Sequence, residues 1–489
     1  MTTTELAHAE LLIGGQWTGS RSGQTYDQAF PFTGEQVGVA AAPGREDARA
    51  AVDAASQAFG EWSRSAPAMR RAILSKAADL VMDRQVEIAG IVTEETGGIF
   101  GWGMFNVEFA AGMLREAAAQ AYGLVGEVIP SDVPGKLAMG VRAPTGVVVG
   151  IAPWNAPAIL GTRAVATPLA YANTVVLKAS EICPRTHGAI VHALQDAGLP
   201  SGVINLITNA PQDAADVVDE LIAHPATRRI NFTGSTKVGR IIAEKAGRHL
   251  KRVLLELGGK APMVVLKDAD LDRAAAAAKF GAFFHQGQIC MSTERIVADR
   301  AVADSLAQKL AERASALPVG DPREPTTEIG PLINHAAVER VAALVKDAVS
   351  KGARVLSGGK PDGPCFPPTV LEGVTPGRST RNRSARGLSD RRRRPRRSGQ
   401  DRQRHRLRPI GRGVQQERAR SDRAGQPNRK RHLPSQRHDR PRRAPNALRR
   451  GQSERLRALR RARRTRRVHR AALDHRPGPT TAIPDLADA

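Results

Sequence analysis

Gly146-Val147-Val148-Val149-Gly150-Ile151 is a continuous apolar run, rich in β-branched residues and followed by a proline-containing turn. Its length and composition predict a buried β-strand, and the run is too short to span a bilayer. From there on, strand-like and helix-like segments alternate, which is typical of the α/β class with a parallel sheet flanked by helices. The predicted strands are 147–151, 174–178, 203–207, 229–232, 253–257 and 263–266, and the predicted helices are 163–172, 185–197, 214–223, 236–249 and 271–284.

The part of the chain before Gly146 is predicted to be mostly helical. Amphipathic patterns predict helices at 46–59, 66–83 and 105–119, followed by a hairpin that pairs 124–129 with 137–142. The first ten residues lack the basic and apolar regions of a signal peptide, and Cys183, Cys290 and Cys365 form no spaced pairs. We therefore expect a cytoplasmic protein without a membrane segment.

Two predicted strands end in polar groups that suit a ligand. Asn155, in the turn Pro153-Trp154-Asn155, is a candidate donor for a developing oxyanion, although an ordinary turn residue would look the same. Lys178-Ala179-Ser180-Glu181 presents an ammonium and a carboxylate that suit the two hydroxyls of an adenosine ribose, and a solvated ion pair is the alternative. A negative Glu181 would repel a 2′-phosphate, which favours NAD over NADP.

A third strand end, Phe232-Thr233-Gly234-Ser235, leads directly into a predicted helix. A Gly-Ser start offers backbone N–H groups and a hydroxyl to a phosphate. The segment does not have the G-x-G-x-x-G pattern of dinucleotide-binding turns. A plain helix N-cap is the alternative interpretation.

Cys290 and Glu256 are the candidates for covalent chemistry. Cys290 is a lone thiol in the turn Gly287-Gln288-Ile289-Cys290, where partial exposure among backbone N–H groups favours the nucleophilic thiolate. A small core residue is the alternative for a lone cysteine. Glu256 lies in an apolar strand-like run, and we expect burial to make it a stronger base, as a general base requires.

The composition changes abruptly near Gly377. From Arg378 to Ala489 there are 36 Arg and one Lys against nine acidic residues, a net charge of +28, so the whole-chain value of +25 leaves −3 for residues 1–377. The segment has no Phe, Trp, Tyr, Met or Cys, and it cannot bury enough apolar surface to offset the entropy of ordering. We predict a disordered Arg-rich tail, which would bind nucleic acid only non-specifically.

Taken together, five segments resemble the aldehyde dehydrogenase superfamily in order and spacing, and the resemblance covers residues 10–377. The segments are Pro153-Trp154-Asn155, Lys178-Ala179-Ser180-Glu181, Phe232-Thr233-Gly234-Ser235, Leu255-Glu256-Leu257-Gly258-Gly259-Lys260 and Gly287-Gln288-Ile289-Cys290. Segments 129–135, 150–157 and 288–295 look most like salicylaldehyde and vanillin dehydrogenases. The resemblance implies a Rossmann-type NAD-binding domain at 1–123 and 143–252, an oligomerisation hairpin at 124–142 and an α/β catalytic domain at 253–377.

The resemblance also implies a role for each site residue, and no metal. Cys290 would attack an aromatic aldehyde, Asn155 would hold the thiohemiacetal oxyanion, and Glu256 would activate the water that hydrolyses the thioester after hydride transfer to NAD. The substrate pocket would contain Phe109 and Met113. The implied cofactor-binding residues are Trp154, Lys178, Ser180, Glu181, Gly234, Ser235, Val238 and Gly239.

The chain departs from the family pattern after Pro376. The family has a Glu-x-Phe-Gly-Pro segment whose Glu binds the nicotinamide ribose, whereas this chain has Asn382-Arg383-Ser384-Ala385-Arg386. Codons for residues 379–386, regrouped from the last base of a TCT codon for Ser379, permit Tyr-Ala-Glu-Ser-Phe-Gly-Pro. We therefore predict that 378–489 is an out-of-frame translation and that the catalytic domain is incomplete.

An incomplete catalytic domain has consequences for activity and assembly. We expect little or no activity, exposed apolar surface at 332–345 and 366–374, an uncovered sheet edge and no normal homo-oligomer. Two alternatives belong to other classes. One is a nucleic-acid-associated protein that uses the tail, and the other is an esterase that uses Cys290 without NAD.

Overall fold

The computed structural model describes residues 6–374 and a two-residue strand at 388–389. In chain order the strands are β1 (Ala7–Ala9), β2 (Leu11–Ile13), β3 (Gln16–Thr18), β4 (Thr25–Ala29), β5 (Gln36–Ala41), β6 (Glu127–Ile129), β7 (Ala138–Gly140), β8 (Val147–Ile151), β9 (Thr174–Lys178), β10 (Ile204–Ile207), β11 (Thr227–Gly234), β12 (Arg252–Leu257), β13 (Ala261–Val265), β14 (Thr293–Ala298), β15 (Arg354–Ser357), β16 (Val370–Glu372) and β17 (Leu388–Ser389). The α-helices are α1 (Arg45–Trp62), α2 (Pro67–Asp83), α3 (Gln85–Thr96), α4 (Phe100–Gln120), α5 (Pro157–Ala170), α6 (Pro184–Asp196), α7 (Ala214–Ala223), α8 (Thr236–Arg248), α9 (Leu271–Phe283), α10 (Ala303–Ser315) and α11 (His335–Ser350). Short 3-10 helices occupy Pro211–Asp213 and Phe284–Gly287.

The larger sheet has the strand order β12-β11-β8-β9-β10-β2-β3. The five strands β12, β11, β8, β9 and β10 are parallel to one another. Strand β2 pairs antiparallel with β10, and β3 pairs antiparallel with β2. Of the parallel strands, β8 comes first along the chain and lies between β9 and β11: the chain runs from β8 through β9 to β10 and then crosses to β11 and β12 on the other side of β8. The prediction of a parallel α/β sheet is confirmed, and β8 borders the point at which such sheets bind ligands.

Apolar strands hold this sheet between two layers of helices. Every residue of β8, β9 and β10 is buried. Alternate side chains of β9 point to opposite faces, so Val175 and Leu177 pack in the cluster that contains α5 and α6, and Val176 packs with α1 and α7. Burial on both faces explains why these strands are continuous apolar runs rather than alternating ones.

The amino-terminal segment is helical, as predicted, but it contains elements that the sequence did not indicate. The three predicted helices correspond to α1, α2 and α4. Helix α3 was missed because its buried residues, which include Glu95 and Thr96, do not form one simple apolar stripe. It ends at Gly97, whose φ of 67° is the left-handed conformation of a helix C-cap. The short strands β1 to β5 were also missed.

The predicted hairpin is present as the antiparallel pair β6–β7. It stands out from the protein, since Val128, Leu137 and Met139 are all exposed. An exposed apolar hairpin is a typical interaction surface. Its role in oligomerisation stays a prediction.

A second sheet has the strand order β13-β14-β17-β16-β15. Its segments contradict the expected exposure of residues 332–345 and 366–374, because Leu332, Val341, Phe366 and Leu371 belong to one buried cluster. The apolar face of helix α11 packs against the apolar residues of 366–374. The two segments therefore bury each other.

Strand β17 lies between β14 and β16 and pairs in parallel with both. The composition of 378–489 predicted a segment without strands, and this prediction does not hold for Leu388 and Ser389. These two residues pair with the neighbouring strands through backbone groups, which composition does not reveal. The rest of the predicted tail, and the replaced Glu-x-Phe-Gly-Pro segment, lie outside the described residues. Within residues 6–374 no helix is long and apolar enough to cross a membrane.

Candidate active site

The strand register brings the predicted ligand-binding segments to one edge of the larger sheet. Ile151 at the end of β8 is paired with Lys178 of β9 on one side and with Phe232 of β11 on the other. Strand β11 also pairs with β12, and this pairing ends with Gly234 opposite Leu257. The turn after β8, the loop after β9 and the start of α8 are therefore neighbours at the carboxyl edge of the parallel strands.

Asn155 connects this edge to the segment that contains Cys290. Its side chain is 5% exposed, and Nδ2 donates a 2.8 Å hydrogen bond to the Gln288 carbonyl. Gln288 precedes Cys290 by two residues, and Cys290 is partly exposed. The structure thus joins the predicted amide donor to the backbone two residues before Cys290, and the catalytic roles of the two residues stay predictions.

The turn that presents Cys290 is conformationally unusual. His285, Gln286 and Gly287 have φ values of 50°, 49° and 69°, a left-handed run in which the first two residues carry side chains. Left-handed backbone costs energy for residues other than glycine, and it persists where surrounding contacts fix it. The Gly/Gln-rich composition predicted a turn here, but nothing in it indicated left-handed His and Gln residues.

Three contacts fix this turn in place. The Gln286 side-chain amide donates to the Gly97 carbonyl at 3.0 Å, and the Gln288 side-chain oxygen accepts the Ile333 N–H at 3.1 Å. The third contact is the Asn155 bond to the Gln288 carbonyl. Segments from α3, the β8 turn and the approach to α11 therefore converge on the backbone that precedes Cys290.

Glu256 does not have the buried environment that the sequence predicted. Its side chain is 52% exposed, and one carboxylate oxygen lies 3.9 Å from the Arg163 guanidinium. The physical reason is that β12 is the edge strand of its sheet, so Leu254 and Glu256 share an exposed face. Arg163, which the sequence analysis missed, also donates a 2.7 Å bond to the Thr233 hydroxyl.

Lys178 and Glu181 form the ion pair predicted after β9. The Lys178 ammonium is 3.4 Å from Glu181 Oε2, and the lysine is only 5% exposed. Burial lowers the pKa of Lys178, and the nearby Glu181 carboxylate raises it in opposition. A fully solvated ion pair, which was the alternative, is therefore excluded for Lys178, although Glu181 remains one-third exposed.

Neighbouring groups fix the loop that carries this pair. The Ala179 N–H donates to the Ile207 carbonyl at 2.8 Å, and Tyr26, from β4, donates its hydroxyl to the Glu181 carbonyl at 3.0 Å. The Ser180 hydroxyl accepts the Ile182 N–H at 3.3 Å. Tyr26 was not predicted, since its strand is short and distant in sequence.

The start of α8 combines a cap with close packing. Ser235 is the N-cap of α8, and its hydroxyl accepts the Val238 N–H at 3.3 Å. A Cβ at Gly239 would lie 2.6 Å from Leu257 Cδ2, and one at Gly234 would lie 2.5 Å from the Phe232 ring. These two glycines thus have a packing reason of their own, whereas Val238 is exposed at the helix start.

An aromatic row leads from the predicted substrate residues to the Cys290 turn. The Phe109 ring lies 4.4 Å from the Phe105 ring, Phe105 stacks on Trp102 at 5.4 Å, and Trp102 stacks on His285 at 4.6 Å. Phe109 is half exposed, so the row begins at the surface. Met113 is half-buried one helical turn further along α4. Trp154 joins the row from the other side, with its ring 6.5 Å from that of His285.

The geometry can be compared with known proteins. The model of the aldehyde dehydrogenase family matches residues 17–382. The chain belongs to the aldehyde dehydrogenase family. Vanillin dehydrogenase from Pseudomonas fluorescens is 56% identical over 367 residues, which are 74% of this chain and 75% of that protein.

Two further relatives carry names that bear on substrate and cofactor. The crystal structure of a salicylaldehyde dehydrogenase from Pseudomonas putida G7, complexed with salicylaldehyde, has a TM-score of 0.77 and 41% identity over 79% of this chain and 80% of that chain. Benzaldehyde dehydrogenase [NAD(+)] from Pseudomonas putida is 40% identical over 75% of this chain and 74% of that protein. This dehydrogenase fold therefore extends over about three quarters of the chain. Among residues 6–374 no group of three His, Cys, Asp or Glu side chains could hold a metal ion.

Proposed function

We propose that the chain carries the site of an NAD-dependent dehydrogenase that oxidises an aromatic aldehyde to the carboxylic acid. The observation that carries the proposal is the 2.8 Å bond from Asn155 Nδ2 to the Gln288 carbonyl, because it joins the β8 turn to the Cys290 segment at the ligand-binding edge of the sheet. An amide has two N–H donors, so this bond leaves Asn155 a second donor for an oxyanion. The names of the three relatives support the same reaction.

The proposed reaction gives these residues the roles that the family resemblance implies. The Cys290 thiolate attacks the aldehyde carbon, a C–S bond forms, and the carbonyl oxygen becomes an oxyanion held by Asn155 and by the Cys290 N–H. Bound NAD would supply the hydride acceptor that the oxidation of the thiohemiacetal to the thioester requires. Water activated by Glu256 then attacks the thioester, and the C–S bond breaks to release the acid and the thiolate. Glu256 is half exposed and therefore open to water, and its carboxylate lies 3.9 Å from the guanidinium of Arg163, which also bonds Thr233 of β11.

The donor set after β9 and β11 fits a dinucleotide. Lys178 offers an ammonium with three donors, Glu181 offers a carboxylate, and α8 begins with its positive end at the same edge. The remaining proposed cofactor-binding residues lie in the same three segments, and they are Trp154, Ser180, Gly234, Ser235, Val238 and Gly239. Because Glu181 would repel a 2′-phosphate, we propose NAD rather than NADP.

An aromatic substrate is supported by the outer end of the row, where the half-exposed Phe109 ring lies 4.4 Å from the half-buried Phe105 ring. These two rings would contact a flat apolar substrate by stacking, whereas Trp102 and His285 are buried behind them. We propose that Phe109 and Met113 line the entrance. Aliphatic aldehydes of similar size should gain less from this surface.

Two experiments test the reactivity of the Cys290 thiol and the catalytic turnover of the chain separately. Cys183 and Cys365 are buried, and burial raises the pKa of both thiols, that of Cys365 to about 11. Iodoacetamide should therefore alkylate Cys290 first, as mapped by mass spectrometry, and Cys290→Ser should remove the fast-reacting thiol while Cys365→Ser keeps it. Equal alkylation of all three thiols would contradict the proposal.

Turnover is measured as NADH formation with vanillin, salicylaldehyde and benzaldehyde. We propose that the full chain turns over weakly or not at all, because Asn382-Arg383-Ser384-Ala385-Arg386 replaces the segment that would supply a carboxylate to the nicotinamide ribose. Rates comparable to those of an intact vanillin dehydrogenase would overturn this part. Ester cleavage without NAD would support the esterase alternative instead.

The division of the chain is also a proposal. We assign 1–123 and 143–252 to cofactor binding, the hairpin 124–142 to subunit contact, 253–377 to catalysis and 378–489 to out-of-frame translation. DNA sequencing across codons 370–390 tests the frame, and an intact frame would refute it. Because Cys183, Cys290 and Cys365 are all free thiols, we propose a reducing cytoplasm.

The net charge of +28 in 378–489 supports one second candidate, association with nucleic acid. Binding to duplex DNA that falls steeply with salt, and that is lost when 378–489 is deleted, would support it. Binding that survives the deletion would exclude the tail as its cause.

A further inference from the structure

His187 is a fully buried residue of α6 that has no role in the proposed reaction. Its Nδ1 accepts the Ser180 N–H at 3.3 Å and lies 3.9 Å from Cys183 Sγ. This hydrogen bond places the ring proton on Nε2. Burial and the charge of Lys178 lower the pKa of His187 to about 3, with the Pro157 carbonyl opposing them. The ring is therefore a neutral acceptor at any ordinary pH.

Helix α5 holds the imidazole in position. A Cβ at Gly161 would lie 2.6 Å from His187 Cδ2 and 3.3 Å from Nε2. The ring thus packs directly against α5 backbone where only glycine leaves room for it. Because the interior around it is closed, the acceptor atom has one position, and that position faces the loop after β9.

The hydrogen bond to Ser180 acts at the centre of that loop. Ser180 lies between Lys178 and Glu181, whose charged groups are 3.4 Å apart. Backbone bonds fix Ala179 to β10, and Tyr26 fixes the Glu181 carbonyl. The Ser180 carbonyl and hydroxyl accept the N–H groups of Cys183 and Ile182, and His187 accepts the Ser180 N–H itself.

We propose that His187 is a positioning residue for ribose recognition, because it sets the backbone at Ser180 and with it the spacing of the Lys178 ammonium and the Glu181 carboxylate. The inference rests on the proposed dinucleotide site and deepens it. It predicts that His187 controls how well the chain distinguishes a ribose with both hydroxyls from one that lacks the 2′-hydroxyl. A side chain that only filled space would change stability without changing this discrimination.

The experiment measures binding of ADP and of 2′-deoxy-ADP to the full chain by calorimetry. His187→Asn keeps an acceptor near the place of Nδ1, whereas His187→Gln moves its amide toward the place of Nε2, and His187→Leu removes the acceptor. His192→Leu is the matched control, because His192 lies on the same helix but stacks on Trp17 at 3.8 Å, away from the loop. Thermal unfolding reports whether each variant is folded.

We expect the wild-type chain, His187→Asn and His192→Leu to bind ADP at least fivefold more tightly than 2′-deoxy-ADP. In His187→Gln and His187→Leu this ratio should fall to about twofold or less. If the His187→Leu variant does not fold, the comparison of His187→Asn with His187→Gln decides. An unchanged ratio in both would overturn the inference while leaving the nucleotide site in place, whereas a wild-type chain without affinity for ADP would overturn the proposed function itself.

Discussion

Replacement of Glu95 by alanine should destabilise the start of α6. Glu95 lies near the end of α3 and is 1% exposed, and its carboxylate accepts bonds from the Arg185 N–H at 2.9 Å, the Thr186 N–H at 3.0 Å and the Thr186 hydroxyl at 2.6 Å. These N–H groups belong to the first turn of α6, where no carbonyl of the same helix can accept them. A side chain from another helix therefore caps α6.

The magnitude follows from four hydrogen-bond donors that Glu95→Ala leaves without this acceptor, the fourth being the Gln28 side-chain amide at 3.4 Å, and from the Arg185 guanidinium, whose Nε lies 3.6 Å from the same carboxylate. An unmade buried hydrogen bond costs about 1–3 kcal/mol, and removal of one partner of a buried charged pair costs about 3–5 kcal/mol in total. Since the site can relax only partly, we expect a loss of about 3 kcal/mol in the stability of the α6 start. Because about 1.4 kcal/mol corresponds to a tenfold change in an equilibrium constant, this loss raises the equilibrium constant for local opening of the α6 start more than a hundredfold.

Hydrogen exchange read by mass spectrometry measures this effect at the start of α6. Glu94→Ala is the matched control, because Glu94 is 47% exposed and pairs with the side chain of the same Arg185 at 2.9 Å. Water can replace the half-exposed Glu94 carboxylate, although the Arg185 side chain is only 10% exposed, so exchange in α6 should change less than in Glu95→Ala. The reasoning is refuted if the two variants exchange alike, or if the peptide that begins α6 keeps its wild-type protection in Glu95→Ala.

Three further predictions concern packing, pH and the oxyanion donor. Gly103→Ala should cost about 1–3 kcal/mol of stability in urea unfolding, because the new Cβ would meet the Ala89 carbonyl oxygen at 2.5 Å and Ala89 Cα at 2.8 Å, whereas Gly112→Ala in the same helix has no atom within 4 Å and should be neutral or stabilising. Because the pKa of His187 is about 3 in the folded chain against 6.5 ordinarily, its contribution is complete above pH 6.5 and is lost as pH falls, by about 1.4 kcal/mol per pH unit. Thermal midpoints at pH 7.5 and 5.5 should therefore differ more in the wild type than in His187→Asn, and equal differences would contradict the assignment. Asn155→Asp should slow alkylation of the thiol severalfold, because it places a carboxylate against a carbonyl and near the thiolate, and an unchanged alkylation rate would separate this side chain from the site.

The central strands could be predicted to the residue because burial on both faces leaves a simple signal. The ranges predicted for β8 and β9 coincide with the observed ones, and both are β-branched runs without charge until Lys178. Helix α7 was predicted equally well. By contrast, β1 to β3 are three residues long, and so short a segment contains too few residues for a period to be read.

The candidate site was predictable in its residue types but not in its environments. The turn at Cys290 and the donor at Asn155 follow from local composition, and the structure brings their segments together. Exposure of Glu256 could not be predicted, since an apolar run does not reveal that its strand lies at the edge of the sheet. His187 gave no signal either, because a single histidine on a helix is compatible with many environments.

Strand β17 makes the continuity of the second sheet depend on the main chain. Among the described residues, β14 meets it through one register pair and β16 through two. Ladder bonds use the backbone C=O, which every residue has, and the backbone N–H, which only proline lacks, so this pairing places little demand on the side chains at the position. With one pair on one side and two on the other, β17 is held weakly, and main-chain pairing alone does not supply any particular side chain to the sheet.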